Sequence, residues 1–336
     1  MTIKKAAVIG SGVMGSGIAA HIANAGIPVY LLDIVPQAVK DNGGDRSVVA
    51  KTAIDRMLKT DPAPFMHKKA ASLVTPGNIE DDLEKLADVD WIVEAVLENP
   101  KVKHDLYQKL EAVRKDGSIV SSNTSTIPLS ILLEGQTERF ASDFCITHFF
   151  NPPRYMRLLE VVKGPKTRQD AFDTVSAFCD RVLGKGVVQC KDTPGFIANR
   201  IGTYFMAVAV NEAIDGGLTV EEADAITGRP MGIPKTGTFG LIDLVGLDLM
   251  PLISKSLLST LPADDDYRRI HRDNALANKM IADGYTGRKG KGGFYRQTKT
   301  ADGRRVKEAI DLSTGVYRAS EKATLASANA KGLKAL

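Results

Sequence analysis

The sequence predicts an α/β protein: a doubly wound, mostly parallel sheet followed by an all-helical domain. Three observations carry that reading. Short apolar runs alternate with stretches of helical periodicity over roughly the first 190 of 336 residues, the rhythm of a parallel sheet covered on both faces. A glycine-rich turn, Gly10-Ser11-Gly12-Val13-Met14-Gly15, joins the first apolar run to the first helix. After Asp192-Thr193-Pro194-Gly195 the alternation stops, and helical periodicity dominates to about residue 281.

Residues 6–9 read as a short buried strand and 13–25 as the helix that follows it. Residues 29–32 form the second strand, which Asp33 closes. Helices are expected around 46–59 and 64–72, with Asp61, Pro62 and Pro64 as breakers between them. A strand at 91–96 precedes a helix at 102–114, and further strands are expected at 118–121, 144–150 and 158–162. A helix at 172–183 and a strand at 186–189 complete the first domain, placed at 1–190. A helical domain for substrate and dimer contacts is placed at 191–296, and 297–336 reads as a polar linker or docking tail.

Composition narrows the function classes. The chain is 43% hydrophobic and 25% charged, as in ordinary globular proteins. Its net charge of +4 is spread without a basic block, which argues against nucleic acid as a partner. No apolar run is long enough to cross a membrane. Cys145, Cys179 and Cys190 form no C-x-x-C pair and no metal spacing, so no metal is expected and a reducing compartment is. Lys4 and Lys5 before an apolar stretch imitate a secretion signal, but five glycines between Gly10 and Gly26 break any continuous helix there. A cytoplasmic location is expected.

The glycine turn points to the cofactor. In G-x-G-x-x-G after a strand, Gly10 makes the tight turn, Gly12 leaves room for a pyrophosphate, and Gly15 lets helix and strand pack closely. Val13 and Met14 then open a helix whose free N–H groups and positive dipole end suit phosphates. Alone the match is weak. Asp33, 18 residues after Gly15, stands where a Rossmann-type site keeps the acid that binds the ribose. Its carboxylate accepts from a free 2′-hydroxyl and repels a 2′-phosphate, and no arginine follows within the next few residues. The cofactor is expected to be NAD.

Oxidation of an alcohol by hydride transfer needs a base for the hydroxyl proton, and the five histidines are candidates. His104 lies on a charged helix face, His67 in a basic stretch, His21 inside the first helix and His271 among arginines. His148 differs, because it interrupts an apolar run near the carboxyl end of a strand, the end at which open α/β sheets bind ligands. Taken alone, a buried core histidine is the default at such a position.

The wider context changes that default. Thr147-His148-Phe149-Phe150-Asn151-Pro152-Pro153, with Met156 and Leu158-Leu159-Glu160, resembles the signature of the 3-hydroxyacyl-CoA dehydrogenase family. So do Ser122-Asn123-Thr124-Ser125, Asp192-Thr193-Pro194-Gly195-Phe196-Ile197-Ala198-Asn199-Arg200, Pro230-Met231-Gly232 and Gly292-Gly293-Phe294-Tyr295. The resemblance implies His148 as general base with Glu160 as its partner, and Ser125 and Asn199 on the reacting end of an acyl-CoA substrate. It implies further that Asn151 lies close to the nicotinamide, that Glu98 and Lys103 contact the dinucleotide, and that Lys289 reaches the cofactor region. The substrate would lie in a cleft between the two domains, and the helical domain would form a homodimer. Two departures stand out: Arg154 and Arg157 replace a more apolar stretch, and 41–72 matches poorly where a coenzyme A-binding helical pair belongs.

The arginines bring the chain closer to the dehydrogenase portion of fused bacterial β-oxidation proteins, where an enoyl-CoA hydratase domain shares the chain. Residues 297–336 are too few to fold as such a domain, so a hydratase is expected as a separate domain or partner. Two alternatives compete with this reading: a non-catalytic NAD-binding protein on the same fold, since fold alone does not fix function, and a β-hydroxyacid dehydrogenase, which relies on a catalytic lysine.

Overall fold

The computed structural model describes residues 2–300 and 302–327. The chain divides into two compact units, Met1–Ile197 and Ala198–Leu336.

The first unit is built on an eight-stranded sheet. Its strands are β1 (Ala6–Ile9), β2 (Val29–Asp33), β3 (Val74–Asn78), β4 (Trp91–Glu94), β5 (Ile119–Ser122), β6 (Phe144–Phe149), β7 (Leu158–Lys163) and β8 (Gly186–Cys190). Their order is β3-β2-β1-β4-β5-β6-β7-β8. Every neighbouring pair is parallel except β6 and β7. That exception follows from chain length: residues 150–157 are too few for a crossover helix, so the chain can only turn back. The helices are α1 (Val13–Asn24), α2 (Gln37–Asn42), α3 (Val48–Met57), α4 (Pro100–Val113), α5 (Leu129–Leu132), α6 (Glu138–Ser142) and α7 (Gln169–Arg181).

Alternate residues of the central strands feed two separate cores. Ala6, Val8, Trp91 and Val93 join α1, α3 and α7 in one. Ala7, Ile9 and Ile92 join Leu106, Tyr107 and Leu110 of α4 in the other. Because both faces are covered, β1 and β4 carry no polar alternation, and that is why they read as continuous apolar runs. The sheet order reverses between β1 and β4, which places the ligand crevice at their carboxyl ends.

In this unit β3 and the 64–72 segment depart in type from the sequence expectation. β3 contains Pro76 and Gly77 and did not read as a strand; it lies at the sheet edge, where proline is tolerated. The helix expected at 64–72 is a shorter 3₁₀ turn, Lys68–Leu73.

The second unit opens with the long α8 (Ala198–Asp215), then α9 (Val220–Ile226), α10 (Gly237–Val245), α11 (Leu249–Thr260), α12 (Asp266–Ile270) and α13 (Ala275–Ala282). Thr219 and Glu222 form a reciprocal capping box at the start of α9. The stretch expected to be a polar linker or docking tail instead carries an antiparallel sheet of β9 (Tyr295–Lys299), β10 (Arg305–Ile310) and β11 (Tyr317–Ala319). Ala309 and Ile310 are buried in one core with Phe239, Ile242 and Phe294, so this sheet is part of the unit. The last nine residues of that expected tail, 328–336, lie outside those described.

Candidate active site

At the β1–α1 turn each glycine answers to a measurable constraint. Gly10 has φ +99°, and a Cβ there would lie 2.5 Å from the Ala95 carbonyl oxygen. A Cβ on Gly15 would sit 1.9 Å from the carbonyl oxygen of Gly10. At Gly12 a Cβ would meet nothing within 4 Å, so open space lies in front of the helix. No side chain caps α1 and no acid occupies its first turn, which leaves its N–H groups to a ligand anion.

Asp33 closes this cradle at the end of β2. Its Oδ2 accepts from both the backbone N–H and the hydroxyl of Ser11 at 2.5 Å, and its Oδ1 accepts from Ile34 N–H at 2.7 Å. An ionised carboxylate has about four lone-pair sites, so it can still accept from a ribose hydroxyl. Open space, a bare helix end and a fixed carboxylate together fit the NAD expected from the sequence. Sequence reasoning missed Arg56. It comes from α3, 23 positions beyond Asp33, and its Nη2 lies 3.4 Å from the Ser11 carbonyl oxygen.

The carboxyl end of β4 carries a buried polar network. Glu94 accepts from Lys103 Nζ (2.7 Å) and Val96 N–H (2.8 Å) on one oxygen, and from Tyr107 (2.7 Å) and Ser122 (2.6 Å) hydroxyls on the other. Lys103 also lies 3.1 Å from Glu98. At 1% exposure its ammonium is sandwiched between two carboxylates, where it orients Glu98. Glu98 in turn accepts from the Thr124 hydroxyl, the Thr126 hydroxyl (3.1 Å) and Ser125 N–H (3.2 Å). Burial would raise the Glu98 carboxyl, but the Lys103 charge and the threonine hydrogen bonds outweigh it and hold the group below its ordinary value. Glu98 therefore shapes the loop on which Ser125 stands.

The antiparallel β6–β7 pair sets the remaining geometry. In its register His148 lies directly opposite Glu160, so both side chains project from one face of the sheet. His148 Nδ1 stands 2.8 Å from Glu160 Oε2, and the other oxygen, Oε1, accepts from Ile197 N–H at 2.9 Å. Both residues are buried. The Phe150 and Phe196 rings flank the imidazole at 4.5 and 5.6 Å between centroids. Phe196 has φ +49°, rare for a bulky residue, and this turn is what delivers Ile197 N–H to Glu160. A carboxylate on Nδ1 fixes the proton there and leaves Nε2 as the basic nitrogen. Asn123, also missed, accepts from Phe149 N–H at 2.9 Å and ties the end of β6 to that of β5.

The first unit thus gathers Gly10–Gly15, Asp33, Glu98, Ser125, His148 and Asn151 at successive strand carboxyl ends, from β1 and β2 through β4, β5 and β6. Asn151 is exposed, just beyond β6. Two further expected residues belong to the second unit: Asn199 in the first turn of α8, and Lys289, which pairs with Asp248 at 2.8 Å. Other histidines have structural partners. His21 meets the Leu183 carbonyl at 3.0 Å, and burial together with the Lys185 charge pushes its imidazole down to about 4. His104 meets the Ile131 carbonyl at 2.6 Å. Arg154, out of place in the sequence pattern, donates to the carbonyls of Ala63 (2.6 Å) and Phe65 (3.1 Å) and fastens that segment to the loop after His148.

The chain is similar to known proteins along most of its length. Residues 5–193 match the family described as 3-hydroxyacyl-CoA dehydrogenase, NAD binding domain, and residues 195–297 match its C-terminal domain. The chain is 46% identical to a probable 3-hydroxyacyl-CoA dehydrogenase of Deinococcus radiodurans, over 89% of this chain and 84% of that protein. It is 45% identical to a protein of the same description from Bacillus subtilis, where 99% of this chain spans only 43% of the relative. Putative trifunctional fatty acid oxidation enzymes of Rickettsia are likewise spanned for 44% of their length. The crystal structure of (S)-3-hydroxybutyryl-CoA dehydrogenase from Ralstonia eutropha aligns with a TM-score of 0.68 at 29% identity, over 86% of this chain and 96% of that one. The histidine–glutamate pair and the dinucleotide cradle accordingly sit in a chain that belongs to the 3-hydroxyacyl-CoA dehydrogenase family.

Proposed function

We propose that the chain oxidises (S)-3-hydroxyacyl-CoA thioesters to 3-ketoacyl-CoA with NAD, as a step of fatty-acid β-oxidation. The observation that carries this reading is the buried His148–Glu160 pair, set by strand register on the same sheet edge as the dinucleotide cradle. NAD, when bound, supplies the acceptor for the hydride that leaves C3 of the substrate. His148 takes the C3 hydroxyl proton on Nε2, and Glu160 holds Nδ1–H and stabilises the imidazolium that results. Ser125 and Asn199 hydrogen-bond the reacting end of the substrate, and Asn151 borders the nicotinamide. Glu98 holds the Ser125 loop, with Lys103 as its counter-charge. Asp33 selects the free ribose hydroxyl of NAD, and Lys289 is assigned to the cofactor by the family resemblance.

The coenzyme A portion contributes binding energy remote from the chemistry. A homodimer through the helical unit is supported by the exposed apolar residues Ile201, Tyr204 and Leu252. An enoyl-CoA hydratase domain or partner would supply the substrate; the Rickettsia relatives are described as putative trifunctional enzymes of a fatty acid oxidation complex. Three free thiols suit a reducing, cytoplasmic setting, and among the described residues no helix is long and apolar enough to cross a membrane.

Incubating the chain with acetoacetyl-CoA and NADH, and following loss of NADH absorbance, tests the reading. Steady NADH consumption is expected, with little or none when NADPH replaces it. No turnover with any 3-ketoacyl-CoA would leave only a dinucleotide-binding protein.

A further inference from the structure

The second unit holds a cavity of about 990 Å³, at the upper end of the range for small-molecule sites. One wall comes from α9, α10 and the turn before β9. The other comes from β10 and the segment after β11, including Lys307 and Lys322. Those last residues lie beyond position 297, where the match to the family's C-terminal domain ends. The cavity is therefore closed by structure added to that domain.

Its charges are unevenly matched. The acids on its floor already have partners. Asp224 accepts from Phe239 N–H (2.7 Å), Gly240 N–H (3.0 Å) and the Tyr295 hydroxyl (2.9 Å). Asp243 accepts from Phe294 and Tyr295 N–H, both at 2.8 Å. Glu221 pairs with Arg318 at 2.9 Å, which leaves Glu321 as an exposed acid at the rim. Arg296 pairs with Glu308 at 2.6 Å and Lys291 donates to the Asp283 carbonyl at 2.9 Å; the other cations are the opposite case. Lys235, Arg288, Lys307 and Lys322 line the cavity, and none forms an ion pair among the described residues. Lys307 is held in place, its ammonium 3.8 Å from the centre of the Tyr295 ring. Arg288 is anchored by its backbone N–H on the Asp243 carbonyl at 2.8 Å. Both cations act on the Asp243 carboxyl, partly offsetting the burial that raises it to about 6. Arg288 and Lys307 thus line the same cavity as Asp243, whose carboxylate is already hydrogen-bonded.

A guanidinium and a ring-held ammonium lining one cavity, with two more lysines in the same lining, make up the donor set that multivalent phosphate takes. We propose that this cavity binds a ligand carrying two linked phosphate groups, held between Arg288 and Lys307 with Lys235 and Lys322 closing on it. Two sources share that chemistry: a free nucleoside or inorganic diphosphate, and the adenosine diphosphate end of a coenzyme A thioester. Only the second source rests on the proposed reaction.

The test is titration of inorganic pyrophosphate into the full chain saturated with NADH, so that the phosphate cradle of the first unit is filled. Saturable binding is expected, weakened by added salt and by about tenfold or more in R288A/K307Q. A second variant, R288A/K322A, changes only exposed side chains and keeps the test valid if the first misfolds. NADH affinity should be unchanged in both. If the variants raise KM for acetoacetyl-CoA and spare acetoacetyl-pantetheine, the ligand is the substrate's adenosine end. If KM is unchanged for both while pyrophosphate binding is lost, it is a free diphosphate. No saturable pyrophosphate binding, binding equal in wild type and variants, or binding abolished by NADH would each overturn the proposal.

Discussion

The cofactor end and the proposed catalytic end of the sheet are made of different material. At β1 and β2 the cradle is mostly backbone: a positive-φ glycine, an uncapped helix end and one carboxylate fixed by Ser11. At β6 and β7 the site is made of side chains, and a strand register brings residues 12 positions apart face to face. The cradle therefore fails when space is filled. The pair fails when a proton position is lost, even with every contact in place. Glu98 and Lys103 lie between the two ends and join them through the loop of Ser122 to Thr126.

This contrast predicts graded damage. Gly15→Val should be the most harmful to binding, because its Cβ would start 1.9 Å from the Gly10 carbonyl oxygen. NADH affinity should fall by about 10²-fold, with circular dichroism showing whether the sheet survives. Normal affinity would mean that the turn is not the cradle. Glu160→Gln should leave NADH affinity intact and lower kcat by between about tenfold and 10³-fold, through loss of the charge that fixes the imidazole. An unchanged kcat would reduce Glu160 to a structural partner of Ile197. Asp33→Ala should have the smallest effect, weakening NAD by about tenfold and narrowing the preference over NADP. Arg56 nearby would then be free to favour the 2′-phosphate. A preference for NAD that survives the change intact would count against charge repulsion at this site.

The two ends also differ in how far the sequence revealed them. The glycine turn and Asp33 were legible because their spacing along the chain is their spacing in the cradle. Arg56 was not, because it reaches Ser11 only through the packing of α3 against α1. His148 stood out by position, but its pairing with Glu160 depends on the β6–β7 turn, and family resemblance supplied it. Lys103 was expected to meet the cofactor; nothing in its polar helix signals that Glu94, nine positions earlier, pulls its ammonium inside. The sheet of β9 to β11 was overlooked because its polar residues masked an alternation. Arg305 to Ile310 alternates more and less exposed positions before ending buried, and Asp302-Gly303 is a hairpin signal.

We propose His148 as the base of a dehydrogenase and not a core histidine. The most direct test of this assignment is His148→Gln, assayed with 3-hydroxybutyryl-CoA and NAD alongside an NADH titration of the same preparation. NADH affinity is expected to be unchanged and turnover to fall by about 10²–10⁴-fold, the usual contribution of general-base catalysis. Turnover near the wild-type rate, or loss of NADH binding through misfolding, would contradict the assignment.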